Sequence, residues 1–151
     1  MDDNGWLEQA IDLARENVAR GGRPFAALIV RDDEVVATAV KTSLVDLDPT
    51  AHAELIAIRA ACQALGSLSL SGCLLVASGQ PCPMCQAAAI YADIERTIFA
   101  ADLAVTTIGG FDSSPVAAEL ARPFSERAAP IAHVPTAAAV APFKDWRDRA
   151  S

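Results

Sequence analysis

Residues 73–92, CLLVASGQPCPMCQAAAIYA, decide the fold. Cys73 to Ala77 is a short apolar run suited to a buried strand, and Gly79-Gln80-Pro81 turns the chain. Cys82 to Ala92 then takes helical spacing, with proline confined to the first turn, where its missing N–H is harmless. A strand feeding directly into a helix is the building unit of a layered α/β domain.

The same alternation extends outward. Upstream, Ala51 to Leu65 is rich in helix formers, is introduced by Asp48-Pro49-Thr50, where Asp48 or Thr50 can cap it, and stops at Gly66. Phe25 to Val30 and Val35 to Val40 are apolar, β-branched runs joined by Asp32-Asp33-Glu34, which predicts a hairpin. Before them, Trp6, Ala10, Leu13, Ala14 and Val18 recur at helical spacing between Gly5 and Arg20, and Gly21-Gly22 supplies the stop. Downstream, Thr97 to Ala101 reads as a strand, Asp102 to Pro115 as a loop and Val116 to Ala121 as a short helix. Ile131 to Val134 reads as a strand and Pro142 to Arg149 as a terminal helix. Strands interleaved with helices predict one three-layer α/β domain around a mixed sheet, with no repeat or linker to divide residues 1–151.

Composition narrows the function. A chain of 151 residues can bury a core without disulfides or a structural metal. A metal therefore needs another reason to be present. The net charge of −7 disfavours partners bound by phosphate neutralisation, nucleic acid among them, and anionic membranes. Lys144, Arg147 and Arg149 are interleaved with Asp145 and Asp148, as on a solvated helix face. Asp2 and Asp3 stand where a signal peptide is basic, and no apolar run approaches the length of a membrane span, so a cytoplasmic protein is expected. In a reducing cytosol its four cysteines are expected as thiols or metal ligands.

His52-Ala53-Glu54 and, thirty positions on, Pro81-Cys82-Pro83-Met84-Cys85 form the informative set. Either piece alone has a mundane reading: a hydrogen-bonded histidine at a helix start, or a redox CxxC. Together, two cysteines three apart in a helix's first turn face one way, and the helix N-terminus favours their thiolates. One imidazole from a second helix start completes three zinc ligands, leaving the fourth position open for water, as in catalytic sites. Two thiolates cancel the metal's charge and blunt its acidifying effect, so a nearby base gains value, and first-turn Glu54 can reach the space beside the metal. A closed structural zinc site would instead need Cys62, Cys73 or His133 as fourth ligand. The first two read as small core residues and the third as a strand or surface histidine.

His52-Ala53-Glu54 with Pro81-Cys82-Pro83-Met84-Cys85 resembles the signature of the zinc deaminases of the cytidine and deoxycytidylate deaminase superfamily. Gly21-Gly22-Arg23-Pro24-Phe25, Asp48-Pro49-Thr50-Ala51-His52-Ala53-Glu54 and Gly110-Phe111-Asp112 look like its bacterial guanine-deaminase-like branch, along nearly the whole chain. The resemblance implies a central five-stranded mixed sheet between helices and a zinc ion (Zn2+) on His52, Cys82 and Cys85. It implies Glu54 as proton shuttle, ammonia release from a nucleobase-like heterocycle, and a homodimer, with or without exchange of C-terminal segments. Phe25, Lys41, Ala53, Pro81, Phe111 and Ser113 are the candidate substrate contacts, and Trp146 is a further ring-contacting candidate.

The chain departs from that branch at several points. Lys41-Thr42 stands where a base-binding Asn is usual, Ser113 where a second Asp follows Phe-Asp, and Gln80 where Glu precedes Pro-Cys. The segment after Trp146 lacks a terminal aromatic. Each lost match to a buried base costs about 1–3 kcal/mol, enough in combination to change the preferred ring. Two other readings use the same motifs: a tRNA adenosine deaminase, which the acidic charge disfavours, and a non-catalytic zinc-stabilised interaction module.

Overall fold

The computed structural model describes residues 2–150, in two compact units, residues 1–115 and 116–151. In the first, α1 (Asp3–Ala19) precedes the hairpin β1 (Ala26–Arg31) and β2 (Glu34–Val40), followed by α2 (Ala53–Leu65), β3 (Cys73–Gly79), α3 (Pro83–Tyr91), β4 (Arg96–Ala101) and α4 (Leu103–Ile108). The strands order as β2-β1-β3-β4, with β1 antiparallel to both neighbours and β3 parallel to β4. The hairpin turns on Asp32 and Asp33, both at positive φ (52° and 58°), a conformation aspartate tolerates and tight hairpins favour.

Period-two alternation along β1 builds the core on both faces of the sheet. Leu28 and Val30 join Val76, Trp6 and Ala10 beneath α1. Ala27 and Ile29 join Leu75, Ala57, Ile58 and Ala61 beneath α2. β1 is buried at its first five residues, as expected of an interior strand covered on both sides. Alanines on α2 and on the sheet's inner face (Ala37, Ala39) bring helix and sheet close together, which holds the start of α2 firmly over the strand ends.

The expected fifth strand is absent among the described residues. Ile131 and Val134 lie in an irregular segment and are 50% and 77% exposed. Pro130 and Pro135 bracket the apolar run, and neither can donate to a ladder. The loop expected over 102–115 contains α4, started by the Asp102 carboxylate accepting from Val105 N–H at 3.0 Å. It also contains the start of α5 (Ser114–Leu120), where Asp112 accepts from Ser114 N–H at 2.9 Å. The remaining unit carries two 3-10 turns and α6 (Ala141–Ala150). Among the described residues no helix is long and apolar enough to cross a membrane.

Candidate metal centre and active site

Two helix N-termini converge on the site. His52 is the N-cap of α2 and Cys82 the N-cap of α3, and neither side chain caps its own helix. Both are turned outward, toward each other. His52, and not Asp48 or Thr50, takes the capping position because Asp48 is used one turn earlier. Its carboxylate accepts from Thr50 N–H and Oγ1–H, each at 2.7 Å, and its carbonyl accepts from Ala51 N–H, fixing the bend that delivers His52. These bonds hold the Asp48 carboxyl below the usual carboxylate range.

The three ligand atoms form a tight triangle: Cys82 Sγ to His52 Nδ1 3.6 Å, Cys85 Sγ to His52 Nδ1 3.6 Å, and Cys82 Sγ to Cys85 Sγ 3.5 Å. A tetrahedral zinc ion requires about 3.6 Å between sulfur and nitrogen and about 3.8 Å between sulfurs. The donor set fits zinc. Cys82 lies far below the ordinary thiol pKa, chiefly through its hydrogen bond with Cys85, while Cys85 is pushed up by that bond, by burial and by the neighbouring Glu54 charge. Among the described residues the group closes at His52, Cys82 and Cys85. Cys62 is occupied with the Leu68 carbonyl, Cys73 is buried in the core where desolvation raises its pKa, and His133 is exposed in the unit spanning 116–151.

Glu54, in the first turn of α2, is 5% exposed, and burial lifts its carboxyl above the usual range, opposed by its own backbone N–H and by His52.

A second cluster borders this one. Phe25 and Phe111 meet edge to face, centroids 4.9 Å apart, and the Lys41 ammonium lies 5.1 Å from the first ring and 5.8 Å from the second. Arg23 lies 5.7 Å from the Phe111 centroid. Gly79 permits this packing, since a side chain there would meet Phe25 Cε1 at 3.0 Å and Thr106 Cγ2 at 3.2 Å. Ala53 and Pro81 are buried, and the Pro81 carbonyl accepts from Gln86 Nε2 at 2.7 Å. Gln80 holds β3 to α4 by accepting from Leu103 N–H at 3.0 Å, a structural role at the position where sequence comparison marked a lost charge. Ser113 is partly buried and makes no hydrogen bond to the ligand triangle among the described residues. Trp146 is 73% exposed in the unit spanning 116–151.

Asn17 and Arg23 escaped the residue-by-residue reading. Asn17 is 7% exposed, and its amide donates to the Arg23 carbonyl at 2.7 Å and the Lys41 carbonyl at 3.2 Å, tying the loop after α1 to the end of β2. Its signal in the sequence is a polar residue continuing the apolar stripe Ala10-Ala14 at helical spacing. An apolar cavity of about 660 Å³ between α1 and α4 is lined by residues such as Ile11, Val18 and Val105 and by none of the ligand group.

The description "Cytidine and deoxycytidylate deaminase zinc-binding region" fits residues 1–101, which include the whole ligand triangle and Glu54. The chain belongs to that family. It is 38% identical to the guanine deaminase of Bacillus subtilis over 152 aligned residues, all of this chain and 97% of that protein. The crystal structure of the Bacillus subtilis guanine deaminase superposes with a TM-score of 0.94 over 98% of this chain and 95% of that one. A tRNA-specific adenosine deaminase of Aquifex aeolicus is 38% identical over 96 residues, 64% of each chain. The family member described here is a zinc-dependent deaminase, a hydrolase of carbon–nitrogen bonds, built on a cytidine-deaminase-like α/β fold with four strands among the described residues.

Proposed function

We propose that this protein deaminates a free, guanine-like amino heterocycle, with His52, Cys82 and Cys85 holding zinc and Glu54 moving the protons. The observation that carries the reading is the ligand triangle closing at three donors beside a buried carboxyl. Zinc bound there supplies the Lewis acidity that makes water a nucleophile near neutral pH. Glu54 accepts one proton of the attacking water and passes it to the ring nitrogen beside the attacked carbon, then takes the second proton from the added hydroxyl and passes it to the amine, which leaves as ammonia while the carbonyl forms. Phe25 and Phe111 offer aromatic contact for the ring, and buried Ala53 and Pro81 narrow the space around it.

A small base is favoured over tRNA because likeness to the guanine deaminase runs along the whole chain, whereas likeness to the tRNA deaminase covers 64% of it, and because the net charge is −7. The full-length match also supports one deaminase domain over 1–151. A homodimer is supported by the unpaired edge of β4, by Ile90 and Tyr91 at 77% and 88% exposure, and by Phe143 at 76% in the C-terminal unit. Cytoplasmic residence is supported by the free thiols, which a reducing compartment preserves.

Ammonia release from guanine, cytosine, adenine, aminopterins and aminotriazines by the zinc-loaded protein tests the reading. Glu54→Gln is expected to keep zinc and lose turnover, and Cys82→Ser to lose the metal. Near-wild-type turnover in Glu54→Gln refutes the role given to Glu54.

A further inference from the structure

Lys41 is buried as a residue, at 8% exposure, and among the described residues its ammonium has neither a hydrogen bond nor an ion pair. Its neighbours are two aromatic rings, at 5.1 and 5.8 Å, and a second cation, Arg23, whose guanidinium lies 5.7 Å from the centroid of the shared Phe111 ring and is likewise unpaired among the described residues. An acidic chain, with 19 carboxylates against 12 basic side chains, has no shortage of counter-ions, yet among the described residues none forms an ion pair with either cation. Ring faces compensate such a charge only in part, and two like charges over one ring repel. Lys41 also senses the charges of Glu54, Cys82 and Cys85, which places it beside the deaminase site. Zinc neutralises the two thiolates when bound, so the loaded site offers Lys41 and Arg23 little compensation.

We propose, resting on the deaminase reading above, that Lys41 with Arg23 is the specificity-determining element of this site and that the substrate is a planar amino heterocycle carrying a negatively charged substituent. The ligand supplies the missing counter-charge, and the Phe25–Phe111 pair packs against its ring. Lys41 is held for this task at both ends: its N–H donates to the Phe25 carbonyl at 2.9 Å, and its carbonyl accepts from Asn17.

Three matched pairs test it on the zinc-loaded full chain: pterin and pterin-6-carboxylate, cytosine and 5-carboxycytosine, guanosine and guanosine monophosphate. Turnover is read as kcat/KM, and binding by titration calorimetry. At least one anionic member is expected to exceed its neutral partner about tenfold, which a buried charge-assisted pair readily supplies. Lys41→Met is expected to erase that preference through KM with zinc content unchanged, and Lys41→Arg to restore most of it. A carboxylate winner places the charge on the ring, and a phosphate winner places it on a ribose. An anion-to-neutral ratio that stays the same in Lys41→Met, or neutral partners that win in every pair, overturns the proposal. Absence of ammonia from all six compounds and from guanine defeats the deaminase reading instead, and the calorimetric ratios then decide the anion site by the same criterion.

Discussion

Asn17 is predicted to be the residue whose loss most disturbs the substrate side of the site while sparing the metal side. Its amide reaches two carbonyls, Arg23 at 2.7 Å in a partly buried setting and Lys41 at 3.2 Å in a buried one. In Asn17→Ala, water can replace the first bond, at about 0.5–1 kcal/mol, while the buried Lys41 carbonyl goes unpaired, at about 1–3 kcal/mol. The sum is about 1.5–4 kcal/mol, or on the order of 3–16 °C in Tm for a chain of this size. Asn17→Asp keeps the shape but turns a carboxylate oxygen toward both carbonyls, so it should cost more than alanine at pH 7. Burial raises the pKa of that introduced carboxyl, so the deficit should shrink as pH falls and the protonated acid regains a donor. Urea melts of the zinc-loaded wild type and both variants at pH 7 and pH 5 measure this, with KM and zinc content read in parallel. If Asn17→Asp is as stable as wild type, or its deficit does not respond to pH, the amide is not the clamp described here.

Gly22→Ala should reproduce much of the Asn17→Ala loss, because the added methyl would lie 2.5 Å from the Asn17 amide atoms, and the double variant should cost little more than either single one. Gly79→Ala should raise KM with intact zinc binding by pushing on Phe25 and Thr106, at a stability cost of about 1–3 kcal/mol in thermal melts. Burial lowers the Lys41 pKa below its ordinary 10.5, so the folded state binds fewer protons there than the unfolded chain between the two values. The burden is therefore fully present at neutral pH and is relieved as pH rises toward 10.5. Lys41→Met should accordingly be more stable than wild type at pH 7, with the gain fading in melts at alkaline pH.

What could be read in the sequence follows from what is local. The Ala26–Arg31 strand is one apolar run because both its faces are covered, and α2 ends where Gly66 takes φ 62°, so periodicity and a glycine locate them. α4 was hidden because Val105, Thr106, Thr107 and Ile108 favour a strand by propensity, while one aspartate cap outweighs them. Ile131–Val134 failed in the opposite way, with strand-like residues lacking a sheet edge that their flanking prolines allow them to reach. The ligand triangle was legible because each donor sits at a helix start that its own neighbours define. The environment of Lys41 was not, because its partners Phe25, Phe111 and Arg23 come from two other loops and meet only in three dimensions.

That division has a functional consequence. The metal donors sit at positions where the backbone itself favours negative charge: the N-cap of α2, the N-cap of α3 and the first turn of α3. Their hold depends on α2 lying close over the alanine-rich sheet face, which is core packing. The aromatic and cationic cluster hangs instead on loop contacts, chiefly Asn17 to Lys41 and to Arg23, and on the absence of a side chain at Gly79. A substitution in that second set can alter the charge and shape presented to the ring without moving a zinc ligand. On the proposed reading, reaction type and substrate choice are carried by separable parts of the fold, and a chain sharing 38% of its residues with a guanine deaminase can keep the first while changing the second at Lys41.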